Sequence, residues 1–439
     1  MPRAGWVKPR DDQRLSDHVA LGVLTRTFPP ELVDAVLSET GRQERRSRLL
    51  PARLVAYYVM AMTLFSSSGY EEVMRSLVEG LSWESGWRQT WAVPSQPAIS
   101  QARARLGEAP LAELFARGCV PLATPSTPGA FWRGRRLVSI DGTTLDVADT
   151  PENAAELGRP GSRRGSGEDA FPQLRVVALA ECGTHAMFAA AMGPCTTGEP
   201  TLARDLASGL GPGMLVLADR GFCAHPLFSA FAATGADLCW QAKANAVLPV
   251  LGRHPDGSFA SELVAHDDRR TRDRVTPVRV VEYEVDDPGR PQAGDTRYRL
   301  VTTILNPDDA PADELAALYA ERWEFESALD ELKSHQRGPR VVLRSKAPGG
   351  VRQEAWGYLC THYAIRALMA TAPGDGKVDP DRISFTATLH AARRSVRAGL
   401  GAATPTLAVA LADVVAEICR KLEPRRRVCL PLPGWSSAR

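Results

Sequence analysis

Residues 214–222 read MLVLADRGF, with Gly213 before them and Gly221 inside the closing turn. The run 214–218 is apolar without interruption, short, and bounded by glycine. That pattern fits a strand covered on both faces, as in a sheet with helices above and below it. Asp219 then ends the strand, where a following glycine lets backbone or substrate come close. Reading outward, the flanks keep a β/α rhythm. Upstream, RRLVSIDGTTLDV (135–147) alternates and is expected to turn at Asp141-Gly142. FPQLRVVALAEC (171–182) and HAMFAAAM (185–192) read as two further strands, and TLARDLASGL (201–210) as a helix. Downstream come a helix, HPLFSAFAATG (225–235), and a strand, ADLCWQAKA (236–244).

The segment 244–304 breaks this rhythm. It is rich in Gly, Pro and Asp, contains VTPVRVVEYEV and TRYRLVTTIL, and is expected to be a β insertion. Residues 14–120 read instead as successive helices. One starts at Pro30, one covers 51–66, one follows Gly69, and a short one ends at Gly107. The last carries Ser100, Gln101, Arg103 and Arg105, which suits a helix-turn-helix-like DNA reader as well as it suits a plain helical bundle with solvated arginines. The loop TPSTPGAFWRG marks a boundary near 125.

Bulk composition excludes several classes. The chain has 439 residues, 44% hydrophobic and 24% charged, so it is neither disordered nor short of core. Its eight cysteines contain no CxxC pair, which gives neither a zinc site nor a disulfide framework. The longest apolar stretch, LVAYYVMAMTLF (54–65), is too short to span a bilayer, and residues 1–19 lack the apolar core of a signal peptide. A cytoplasmic protein is expected. The net charge of +2 hides an uneven distribution, since residues 382–439 carry ten basic side chains against three acids. A second basic run, 334–353, holds Arg337, Arg340, Arg344, Lys346 and Arg352 with no acid.

Three acids carry the chemistry. Asp141 and Asp219 hold equivalent places on two strands, with no basic partner beside them in sequence. Divalent cations relieve such repulsion, and hard oxygen donors suit Mg²⁺. Read singly, each is an ordinary Asp-Gly or Asp-Arg-Gly turn. The helix YAERWEFESALDELKSH (319–335) supplies the third acid. At about 100° per residue, Tyr319, Arg322, Glu326 and Lys333 fall at roughly 0°, −60°, −20° and −40°, on one narrow face. Leu318, Phe325, Leu329 and Leu332 form the adjoining core stripe, and Glu324 and Glu331 point well away.

These motifs resemble the DDE transposases of insertion-sequence family 4. The resemblance rests on IDGT at Asp141, LADRGF at Asp219, and Y-x2-R-x3-E-x6-K at Tyr319, Arg322, Glu326 and Lys333. The separations of 78 and 107 residues also agree, as does 50–77, which is similar to the family's N-terminal domain. The resemblance implies an α/β fold: an RNase H-like core of mixed sheet flanked by helices, interrupted by a β insertion, with helical N- and C-terminal regions. Its divisions would be a helical DNA-binding region 1–125, the catalytic core 126–243 and 305–370, the insertion 244–304, and a helical C-terminal region with a basic tail, 371–439.

The resemblance further implies that Asp141, Asp219 and Glu326 hold two Mg²⁺ ions, with Mn²⁺ able to substitute, for cleavage of transposon ends and strand transfer. Tyr319, Arg322 and Lys333 would contact phosphates of double-stranded DNA, in the terminal inverted repeats and the target. Arg344 and Lys346 would extend that contact beside the helix, and Arg103 and Arg105 would add to it from the N-terminal region. A homodimer on paired ends, associated with the nucleoid, is the implied assembly. Some relatives stack a flipped base on a tryptophan of the insertion, where this chain has Tyr298. A cross-strand aromatic pair is the plainer reading of that tyrosine.

Overall fold

The structure is a computed structural model. It describes residues 22–44, 50–84, 93–161, 170–265, 274–284, 297–338, 341–371 and 378–397, with 415–417, 419 and 422. Six helices open the chain: α1 (Val23–Thr27), α2 (Pro30–Glu39), α3 (Ala52–Leu64), α4 (Tyr70–Glu84), α5 (Gln96–Leu106) and α6 (Ala109–Gly118). Proline at or just before the first turn fixes the start of α2, α3, α5 and α6. Gly107, at φ 73°, takes the left-handed step that ends α5.

A mixed sheet follows. Its first strands are β1 (Phe131–Trp132), β2 (Arg135–Asp146), β3 (Gln173–Glu181) and β4 (Met187–Pro194), with α7 (Pro151–Leu157) between β2 and β3. Then come α8 (Glu199–Ala203), β5 (Met214–Ala218), α9 (His225–Ala232) and β6 (Asp237–Gln241). Their order is β4-β3-β2-β5-β6, antiparallel across β4-β3-β2 and parallel across β2-β5-β6. This is the RNase H-like arrangement. The reading of 214–218 as doubly covered holds, because Leu215 and Leu217 enter one core cluster while Val216 and Ala218 enter the opposite one.

The insertion does not form a separate sheet. Strands β7 (Gly252–Arg253), β8 (Phe259–Val264), β9 (Val275–Glu284) and β10 (Arg297–Thr302) continue the same sheet from β6, with Leu300 opposite Gln241. The free edge of β6 is thereby paired, which removes a row of exposed backbone donors and acceptors. Helix α10 (Ala312–Leu318), a 3₁₀ turn (Tyr319–Arg322), α11 (Trp323–Asp330) and a π turn (Glu331–Gln336) then form one continuous rod across the sheet. Helix α12 (Pro348–Thr371) and, after a 3₁₀ turn at Pro380–Arg382, α13 (Phe385–Arg397) complete the order.

Helices α1–α6 share one buried cluster with α12, α13, the far half of β2–β3 and the inner side of α11. At its centre α3 crosses α12 over Gly357, where an added Cβ would stand 3.0 Å from Val59. The Thr63 and Thr361 hydroxyls meet there at 2.9 Å. The N-terminal helices are therefore built onto the sheet-bearing body. Among the described residues, no helix is long and apolar enough to cross a membrane.

Candidate active site

Ile140 and Ala218 are paired across the parallel β2–β5 ladder, so Asp141 and Asp219 leave the same level of the sheet side by side. Asp219 does end its strand, and its Oδ1 accepts the Gly221 amide at 2.7 Å. Asp141 does not. Strand β2 runs on to Asp146, because β3 keeps pairing with it after β5 has stopped, and Gly142 lies opposite Val177. The expected Asp-Gly turn is thus a strand interior. A Cβ at Gly142 would lie 2.6 Å from the Glu199 carboxyl carbon, so a side chain here would displace the Glu199 carboxylate.

The third acid comes from the rod. Arg322 reaches Asp141 Oδ2 from Nη1 at 3.7 Å and Glu326 Oε1 from Nη2 at 3.4 Å, so one guanidinium stands between the two acids. The Glu326 side chain is 46% exposed, whereas that of Arg322 is 10% exposed. Burial pushes the Asp141 carboxyl up to about 6, and the neighbouring charges of Asp219 and Glu199 add to this against the pull of Arg322. Two of these three all-oxygen donors share one guanidinium, and one of the two, Asp141, resists ionising. That is the electrostatic condition a divalent cation corrects, so the donor set fits one.

Sequence-derived neighbours fall into distinct environments. Tyr319 is buried at 7% exposure, and its hydroxyl donates to the Ala218 carbonyl at 3.0 Å, beside Asp219. That bond ties the rod to the end of β5. Lys333 is half-buried in the π turn, where the Arg337 amide bonds to the Leu332 carbonyl. A regular 100° wheel therefore loses its phase after Asp330. Tyr298 lies on β10 with its ring stacked on Tyr283 at 5.4 Å, which is the cross-strand pair.

Arg103, expected on DNA, is buried instead. It donates to Gln353 Oε1 at 3.0 Å, to the Tyr70 hydroxyl at 2.9 Å, to Ser345 Oγ at 2.9 Å and to the Gly350 carbonyl. Arg344, also expected on DNA, lies over the Tyr70 ring and donates to the Ser68 and Met62 carbonyls. The basic run looked free of acids only along the chain. Arg337 is buried, Arg352 pairs with Glu108 and Glu156 from elsewhere in the fold, and Arg340 lies outside the described residues. Arg105 and Lys346 are exposed.

Two residues near the triad escaped the sequence reading. Glu199, at the start of α8, packs over Gly142 and stands 3.9 Å from Arg175. Its signal was the close-approach glycine, which names no partner. Trp323 is 58% exposed, and the Arg322 guanidinium lies 4.9 Å from its ring centre. An exposed aromatic directly after the signature arginine was the available clue.

The sheet order and the acids it brings together are those expected of a DDE-type transposase. The family model described as the transposase DDE domain matches residues 132–363, and that of the insertion element 4 transposase N-terminal region matches residues 18–116. The chain belongs to the insertion element 4 family of DDE transposases. It is 28% identical over 347 residues to the transposase InsG for insertion sequence element IS4 of Escherichia coli (strain K12), covering 77% of this chain and 74% of that one. It is also 25% identical over 213 residues to a putative transposase, InsZ, of the same organism, covering 48% of this chain and 68% of that one.

Proposed function

We propose that this transposase cleaves the ends of its element and joins them to target DNA at a site made of Asp141, Asp219 and Glu326. The observation that carries this reading is the shared Arg322 between Asp141 and Glu326, beside the Asp141–Asp219 pair on adjacent strands. The three carboxylates would hold Mg²⁺, or Mn²⁺ in its place. Bound there, two such ions would activate the attacking oxygen and stabilise the leaving one during in-line phosphoryl displacement.

The chain's own residues prepare that chemistry. Asp141, which burial disfavours as a charged group, would be favoured as a carboxylate by cations held there, and Arg322 holds Asp141 and Glu326 around one point. Tyr319 locks the rod against Ala218, which fixes the height of Glu326 relative to Asp219. Trp323 offers an exposed ring on which a displaced base can stack. Lys333, Lys346 and Arg105 supply phosphate contacts, whose contribution falls with salt. Tyr298 is a second stacking surface at the insertion. By function, 1–125 recognises the element end, 126–243 with 305–370 performs catalysis around the 244–304 insertion, and 371–439 contributes its basic tail. Two chains, one on each end, would form the working assembly.

The test is incubation of the full chain with Mg²⁺ and a duplex carrying the element's flanking inverted repeats. Cleavage followed by joined product is expected. Asp141→Asn, Asp219→Asn and Glu326→Gln should each cut at below about a thousandth of the parent rate, the scale of losing one preorganised electrostatic element, while retaining end binding. Cleavage without joining would make the protein a nuclease, and binding without cleavage a regulator. Normal cutting by all three variants would remove the triad assignment.

A further inference from the structure

Behind the triad, on the opposite side of α11, a second group of ligand atoms converges. His185 Nε2 lies 2.6 Å from Glu324 Oε2 and 3.1 Å from Asp381 Oδ1, and all three ligand atoms are within 4.8 Å of one another. The His185 side chain is fully buried and both acids are 14% exposed. Asp381 Oδ1 is buried, and its 3.1 Å contact with His185 Nε2 is not directed as a hydrogen bond. Three separate parts of the chain meet here: the β3–β4 hairpin, α11 and the turn after α12. His185 is also one of two described non-glycine residues with positive φ, at 54°. Strain of that kind persists where surrounding contacts over-determine the conformation.

Glu331 is matched by Arg366, whose Nε donates to Oε2 at 2.8 Å and whose Nη2 meets Oε1. Glu324 and Asp381 both face the His185 ring, so three acids, Glu324, Asp381 and Glu331, stand around this imidazole and Arg366. Glu331 Oε1 also stands 3.4 Å from His185 Nδ1, the place of the carboxylate that orients a metal-bound histidine.

We propose that His185 Nε2, Glu324 Oε2 and Asp381 Oδ1 bind one divalent transition-metal ion of the Zn²⁺ class, distinct from the ions of the triad. Ligand bonds of about 2.0–2.1 Å separate tetrahedral donors by about 3.3 Å, so His185 and Glu324, now 2.6 Å apart, open by roughly 0.7 Å and His185 and Asp381, now 3.1 Å apart, by roughly 0.2 Å. The ion takes the place of the proton on Nε2. The remaining ring proton then sits on Nδ1 and is accepted by Glu331, which requires Arg366 Nη2, now in contact with Nδ1, to turn wholly onto Glu331. Mixed nitrogen and oxygen donors favour Zn²⁺ here, whereas the all-oxygen triad favours Mg²⁺. The bound ion would cross-link the turn after α12 and the β3–β4 hairpin to the helix that carries Glu326.

The experiment uses the full chain with the triad disabled by Asp141→Asn, Asp219→Asn and Glu326→Gln, so that catalytic acids do not contribute. After chelation, loading with Zn²⁺ and desalting, metal content is measured by mass spectrometry, and the melting temperature is recorded with and without Zn²⁺. About one retained ion per chain and a raised melting temperature are expected. Both should vanish with His185→Asn and, separately, with Asp381→Asn, the nearly isosteric variant that keeps the test open should the histidine variant fold poorly. No retained ion in the triad-disabled chain, or an ion retained unchanged in the Asp381→Asn chain, would overturn the proposal.

Discussion

The two sides of α11 hold the same kinds of residue in opposite electrostatic states. On the front, Arg322 stands between Asp141 and Glu326, Asp219 lies beside Asp141 on the next strand, and burial has pushed Asp141 up to about 6. On the back, Glu331 is buried too, yet Arg366, His185 and His362 outweigh that burial and hold its carboxyl well below the usual range. Burial alone therefore decides neither state. What differs is the supply of fixed positive charge. An acid group short of cations is prepared to receive one, and an acid group saturated with them fastens the fold. The back is itself divided, because Asp381 is pushed up to about 7 chiefly by burial, with Glu324 adding to this against the pull of His185 and Arg366.

The largest test of this contrast is on the saturated side. Arg366→Met should leave Glu331 buried without its main partner and cost about 3–5 kcal/mol, read from urea unfolding of the chelated protein. Adding Glu331→Gln should restore a large part of that loss, since the uncompensated charge goes with it. Asp141→Asn, under the same conditions, should be no less stable than the parent, because it removes a charge the fold disfavours. If Asp141→Asn destabilised the chain as strongly as Arg366→Met, the distinction between the two sides would fail.

Much of the front was legible in sequence because its logic is local. The run at 214–218 announces a doubly covered strand, and the glycines near Asp219 and Asp141 announce close approach. Glu324 and Glu331 were correctly placed away from the signature face by their spacing. The back of the rod was not legible. His185, Arg366 and Asp381 are separated by long stretches of chain, and nothing local to any of them names the others. The arginines fail for the same reason. Arg352 seems unpaired along the sequence because Glu108 and Glu156 reach it only through the fold. Arg103 seems exposed because its acceptors belong to Tyr70 and to residues 345–353. Helix phase misleads in a further way, since a 3₁₀ turn at Tyr319–Arg322 and a π turn at Glu331–Gln336 change the rotation per residue at both ends of α11.

A smaller effect joins the two sides mechanically. Tyr319→Phe keeps the ring and removes the bond to the Ala218 carbonyl, a loss of about 1 kcal/mol for a buried hydrogen bond. If the hydroxyl positions Glu326 rather than touching DNA, cleavage at saturating DNA should fall several-fold while end-binding affinity and its salt dependence stay at parent values. Weakened binding with a shallower salt dependence would instead return Tyr319 to the phosphate contacts.

The smallest expected effect calibrates the comparison with a carboxylate that belongs to neither group. Asp256 accepts from Ser258 and from the Ala312 amide at the start of α10, and it faces Arg279 at 3.6 Å. Burial opposes ionisation there, but those bonds and that charge prevail and hold its carboxyl below its ordinary 3.8. A group depressed in the folded state stabilises fully above its unfolded value, and that stabilisation disappears as pH falls through the folded one. Asp256→Asn should therefore be less stable than the parent near neutrality, by at most about 1 kcal/mol for a partly solvated pair. The two melting curves should converge below about pH 4, where the parent carboxylate takes up its proton. A gap that persisted unchanged into acid would mean that Asp256 acts through shape and hydrogen bonding. In that case charge supply, which separates the two sides of α11, would not extend to this part of the fold.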